Sequence, residues 1–262
     1  MDLKTLAEQA GELRIRLALR GQLVGVKILK DRAEVQQIPK IRDIKQKLTS
    51  CQRIQIARVI GWTTWETRET TPPFCSYILG LCPKPEDIET GKLTAGIWCK
   101  TQEDAKKRHD AFPIIPPEYD AAVFGPVEMA SFEPDVILIY GSPCQMMMVL
   151  DGFHWIKYEV NDFIDTGGSS CATTIGRTFT TGKLSLAIPD YGERRYGHVQ
   201  ENEIALSMKP EKLGECLEGL EGLRKAGLPY PLPFWGSQAD TYTGYPPSYR
   251  EFYDKEMAKW EQ

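Results

Sequence analysis

Three cysteines, Cys51, Cys75 and Cys171, each stand where the residue pattern predicts the opening turn of a helix. A helix start carries partial positive charge and unpaired N–H groups, so a thiolate is electrostatically favoured there. Three such thiolates can hold a metal centre, because soft sulfur ligands select zinc, copper and iron–sulfur clusters. Cys171 lies in "GGSSCATTIG", residues 167–176. Gly167 and Gly168 let the backbone turn through conformations closed to other residues, and Ser170 can cap the helix that follows. A start of this kind binds anions, which makes Gly167, Gly168 and Ser170 the candidate cofactor contacts. The competing reading is a buried packing thiol beside a turn, since free cysteine is among the most buried residue types.

The remaining chemistry is sparse. Cys75 and Cys82 are seven apart in "CSYILGLC", looser than the spacing that marks zinc or ferredoxin sites. Cys82, Cys99, Cys144 and Cys216 are therefore assigned to packing. The three histidines, His109, His154 and His198, form no HExxH pair, and the chain has neither a GxSxG elbow nor a GxxxxGK[ST] loop. "GGSSCATTIG" lacks the glycine spacing of a dinucleotide fingerprint. Arg194 and Arg195, beside Tyr191 and Tyr196, suit a carboxylate or phosphate, or else a solvated turn. Of Arg53 and Arg58, one is expected to face the site and the other solvent. Trp62, Trp65 and Trp98 are read as core, with an apolar pocket wall as the alternative. A Cys171 nucleophile would find only His198 nearby in sequence as its base.

Composition narrows the partners. The 262 residues carry 32 basic and 36 acidic side chains, a net charge of -4, without a long basic run. Nucleic acid is thus an unexpected partner. No window approaches the length of apolar chain a membrane span needs, and the charged first twenty residues do not read as a signal peptide. A cytoplasmic protein with reduced cysteines is expected.

The elements that must position these residues follow from periodicity. An amphipathic helix through Leu3, Leu6, Ala10, Leu13 and Leu17 precedes a strand at "LVGVKILK". The second half of "IRDIKQKLTSCQRIQIARVIGW" reads as a helix, and "TTWETRET" as a strand. "TQEDAKKRHDAF" has the composition of an exposed helix. Strands are expected at the end of "PIIPPEYDAAVFGPVEM" and at "DVILIYGS", "KLSLAIPD" and "ENEIALSM". The strand–turn–helix run from "DVILIYGSP" into "CQMMMVLDGFHWI" suggests a pocket over that strand end. "KPEKLGECLEGLEGLRKAG" is an amphipathic helix closed by Gly227. The fold class is α/β or α+β, a mixed sheet flanked by helices. Residues 1–227 form one body, and residues 228–262 an extended proline- and aromatic-rich C-terminal tail that packs on the body or on a neighbouring subunit.

In order, "LVGVKILK", "CQRIQIAR", "CSYILGL", "FEPDVILIYGSP", "SSCATTI", "TFTTGKLSLAIPDYGERR" and "ENEIALSMKPEKL" resemble the motifs of domain of unknown function 169, over about residues 20–225. The resemblance implies an uncharacterised bacterial or archaeal protein, commonly of anaerobes, and no established reaction. It also implies that Cys51, Cys75 and Cys171 match family cysteines. A further family cysteine often follows the last core strand, where this chain has Asp190. Asp190 would supply an oxygen ligand, act as an acid–base group, or leave one iron open to substrate.

The function expected is an iron-sulfur or metal-binding protein of anaerobic metabolism, acting in redox or Lewis-acid chemistry on a small organic molecule. Cys51, Cys75, Cys171 and Asp190 are the ligand set, with an iron-sulfur cluster as the cofactor. Asp190, Arg194 and Arg195 are the catalytic candidates. The alternatives are a non-catalytic small-ligand-binding or accessory protein with packing cysteines, and a thiol enzyme using Cys171. The expected partners are a small-molecule ligand and a second copy of the chain, as a homo-oligomer joined through the tail.

Overall fold

Alternating burial organises the molecule around one sheet. In the strand Val136–Gly141, Val136, Leu138 and Tyr140 pack into one hydrophobic cluster while Ile137 and Ile139 pack into another, the period of two that a strand imposes. In the computed structural model, which describes residues 2–165, 167–231 and 247–259, six strands form this sheet. They are β1 (Val24–Leu29), β2 (Thr64–Glu66), β3 (Ala121–Pro126), β4 (Val136–Gly141), β5 (Ser185–Ala187) and β6 (Ile204–Met208). Their order is β2-β3-β1-β4-β6-β5, and every ladder is antiparallel. The fold is accordingly of the α+β kind. Antiparallel neighbours need no helical crossover, which frees the helices to cover the two faces unequally.

One face is covered by α1 (Leu3–Arg16), α6 (Pro143–Ile156) and α9 (Lys212–Lys225). Their apolar stripes, including Leu13, Val149, Phe153, Leu213 and Leu220, close over Ile137, Ile139, Leu206 and Met208. α6 and α9 approach at the backbone, because a Cβ on Gly219 would overlap the carbonyl of Gly152. Met146 and Met148 fill this core and Met147 faces outward, as core filler on a helix should.

The other face carries α2 (Ser50–Gln55), α3 (Pro73–Ile78), α4 (Glu86–Glu89), α5 (Gln102–Asp110), α7 (Arg177–Thr181) and α8 (Tyr191–Gly197). Two widened π turns interrupt it, at Ile56–Ile60 after α2 and at Ala172–Gly176 before α7. Both follow directly on the turns that carry Cys51 and Cys171. Such turns recur at functional sites because they re-aim side chains without ending the helix.

No helix is long and apolar enough to cross a membrane among the described residues. The tail expectation falls partly outside the described residues, at 232–246. Within them, Tyr230 packs against the second cluster, and α10 (Pro247–Met257) buries no side chain.

Candidate functional site

Each candidate cysteine is delivered by a locally specified helix start. Thr49 caps α2 through a reciprocal box with Gln52, and so fixes Cys51 in the first turn. Pro72 and Pro73 open α3 ahead of Cys75, proline being pre-organised for a first turn. Ser169 begins the third start, accepting a hydrogen bond from Ala172 N at its Oγ and from Thr173 N at its carbonyl.

Tertiary structure then joins these starts. Asp190 caps α8 by accepting from Glu193 N at 2.9 Å, and its other oxygen accepts from Ser170 N at 2.8 Å. Asp190 N donates in return to Ser170 Oγ at 2.7 Å. This reciprocal clasp ties the Cys171 turn to α8. Gly197, at the far end of α8, sits so close that an added Cβ would lie 3.3 Å from Cys51 Cβ. Cys51, Cys75 and Cys171 lie near enough to one another for each thiol's ionisation to be shifted by another of the set.

All three thiols, with Asp190, line one cavity of about 690 Å³. Its other walls are largely apolar and aromatic, including Phe74, Ile78, Trp98, Ile188, Tyr191 and Tyr196. The pocket expected over the end of β4 is absent from this cavity, whose walls come instead from α2, α3, α8 and the loops around residues 93–98 and 165–171. An antiparallel sheet has no switch point at that strand end to create one.

The thiolates expected at the helix starts are corrected by their surroundings. Cys51 is pushed well above the ordinary thiol range because it donates to Cys171, because it is buried, and because charge on Cys171, Glu193 and Asp190 opposes a thiolate. Cys171 is helped by that hydrogen bond, yet burial and Glu193 still push it up to about 11. Burial, with the charges of Cys51 and Glu66, pushes Cys75 up to about 12. Desolvation and nearby acids thus outweigh the helix ends, and the three sulfurs are thiols at neutral pH.

Two buried acids lie behind them. Glu193 accepts from the Tyr140 hydroxyl, and burial raises it to about 7. Glu66 accepts from Ser50 Oγ at 2.6 Å and lies 3.1 Å from Arg53 Nε, at an angle that makes no hydrogen bond. Burial outweighs both partners and raises Glu66 to about 7 as well.

The other sequence candidates scatter. Gly167 and Gly168 line the cavity, whereas Ser170 is buried behind it in the Asp190 clasp. Arg194 is spent on the carbonyls of Pro189 and Gln200, and Arg195 is exposed; neither lines the cavity. Arg53 and Arg58 are both buried, because the extra residue of the π turn brings position 58 inward. Trp98 lines the cavity, while Trp65 packs against a small apolar cluster of Leu29, Val35, Ala121 and Val123, and Trp62 lies under Arg42. His198 is an exposed αL cap at the end of α8, so Cys171 has no histidine base among the described residues lining the cavity. Cys216 is buried in the core and Cys82 packs against it, as assigned.

Sequence reasoning missed Arg108, whose guanidinium is the cation in the cavity wall. It sits on α5, which read as an exposed helix, and only its final turn reaches the site. Among the described residues no group of three or more His, Cys, Asp or Glu side chains is arranged to hold a metal ion.

Comparison with known proteins adds relatives without assigned chemistry. The profile of domain of unknown function 169, described as an uncharacterised ArCR family, matches residues 12–219. An uncharacterised protein of Methanocaldococcus jannaschii is 27% identical over 231 residues, covering 86% of this chain and 97% of that protein. No solved structure matches the chain.

Proposed function

Because the chain belongs to the domain of unknown function 169 family, described as uncharacterised, we propose its activity from the cavity. The protein holds a small organic molecule against a cysteine centre, in which Cys51, Cys75 and Cys171 ligate an iron–sulfur cluster or a soft metal ion. One observation carries this reading: three cysteines from three distant segments line the same wall of a ligand-sized cavity. Half-buried and near Glu66, Glu193 and Asp190, the thiols resist ionisation alone, and a cation would reverse that balance. Asp190 already spends its carboxylate on two N–H groups, so it suits a positioning role or a weak fourth contact. When bound, the centre would supply redox or Lewis-acid chemistry of the kind anaerobic metabolism uses.

That Cys51 and Cys171 line one cavity and shift each other's ionisation favours a second reading, a metal-free dithiol that cycles to a disulfide. Anaerobic purification separates the two. Iron and sulfide, or zinc, in fixed ratio to chain and lost in Cys171→Ser supports the metal centre. Metal-free protein in which an oxidant removes two titratable thiols, and Cys51→Ser prevents the loss, supports the dithiol and overturns the first reading.

A further inference from the structure

The cavity's charge is as particular as its sulfur. Among the described residues three charged ones line it: Arg108, Asp165 and Asp190. Asp165 accepts from Gly167 N at 2.8 Å and Asp190 is held in its clasp, so both carboxylates are engaged by backbone. Arg108 differs. Its Nη2 donates to the Gly167 carbonyl at 2.7 Å, and its guanidinium lies 5.7 Å from the Trp98 ring centroid. Among the described residues it has no carboxylate within ion-pair distance.

The loop is shaped to receive that side chain. A Cβ on Gly168 would overlap the Arg108 guanidinium, so a larger residue there would displace the guanidinium from the backbone just ahead of Cys171. Trp98 packs on Tyr191 at 5.5 Å with a tilt of 56°, yet the two rings remain 53% and 60% exposed. Large aromatic faces left open beside an unpaired guanidinium, over an apolar floor, match a flat apolar body with one anionic end. Only Ser169 and Ser170 separate Gly168 from Cys171, so the guanidinium packed on Gly168 and the Cys171 thiol belong to one short segment of the cavity wall.

We infer that the cavity binds an aromatic carboxylic acid, with its carboxylate on Arg108, its ring against Trp98 and Tyr191, and its far end directed toward the Cys51–Cys171 pair. The assignment rests on the reading of this cavity as the working site, and it requires no metal. Arg108 would select for the anion and the two rings for planarity, so an acid should bind more tightly than its amide or its saturated analogue.

Titration calorimetry and tryptophan fluorescence on the full chain test this with benzoate, phenylacetate and 3-phenylpropionate, against benzamide and cyclohexanecarboxylate. At least one of the three aromatic acids should bind about tenfold more tightly than benzamide. Arg108→Gln should remove that preference, Arg108→Lys should keep part of it, and Gly168→Ala should weaken it by displacing the guanidinium. Unchanged melting temperatures in these variants establish that the fold is intact. Equal binding of acid and amide, or no binding of any acid at roughly 10 mM, overturns the inference. The same titrations on Cys171→Ser distinguish it from the metal proposal. Acid binding that persists in metal-free protein leaves this inference standing while the metal reading fails, and a metal-loaded chain indifferent to every acid does the reverse.

Discussion

Replacing Glu203 by glutamine tests the latch that holds the π turn after α2 against the start of β6. Arg58 Nη1 donates to Glu203 Oε2 at 3.1 Å and Nη2 donates to Oε1, a fork on a fork, with the side chains 6% and 5% exposed. The guanidinium also stacks 4.8 Å from the Tyr140 ring centroid, and Glu203 accepts a further bond from Gln200 N at 2.9 Å. Burial works against the carboxylate, but the Arg58 guanidinium and the Gln200 N–H hold it below the usual range. Glu203→Gln keeps the volume and leaves Arg58 charged and buried without an anion. Breaking one side of such a pair costs about 3–5 kcal/mol, largely as the uncompensated charge. For a chain of this size that corresponds to about 6–20 °C in Tm. Thermal and urea melts of Glu203→Gln, Arg58→Met and the double variant read the effect. The double variant should recover most of the loss, since it removes the stranded charge. A Glu203→Gln melt within about 2 °C of the parent, or a double variant no better than either single one, would refute the reasoning.

Two further outcomes follow from buried groups. Glu66 stands at about 7 against an ordinary 4.5, so the folded chain holds its proton more tightly than the unfolded chain. Its stabilisation is full below the ordinary value and lost as pH rises through 7, about 3 kcal/mol in all. Glu66→Gln keeps an acceptor for Ser50 and does not titrate, so urea midpoints between roughly pH 5 and pH 8 should fall less steeply than in the parent; parallel curves contradict the assignment. Gly219→Ala places a Cβ on the Gly152 carbonyl, forces α6 and α9 apart, and should cost about 1–3 kcal/mol in a urea melt; an unchanged midpoint would mean that the helices do not meet at backbone distance.

Much of the fold is legible from periodicity. β1, β4, β6, α1, α6 and α9 fall where alternation or a helical stripe predicts them, because each depends on its own residues. The three cysteine helix starts are legible for the same reason, since Thr49, Pro73 and Ser169 act within a few residues of the thiol. Arg108 was illegible. Its helix has the charge pattern of a solvated surface, and nothing local says that its last turn passes under Gly168. The thiol acidities were misjudged on the same ground, for a helix end is a local feature while Glu66 and Glu193 approach from other elements.

The sequence by itself determined where the chain turns, caps and strands, and which cysteines open helices. Only the tertiary structure decided that those openings share one cavity, that desolvation and nearby acids oppose their ionisation, and that the Arg108 guanidinium lines the same cavity. Capping and periodicity are settled within a few residues, whereas desolvation and charge depend on what the rest of the chain brings alongside.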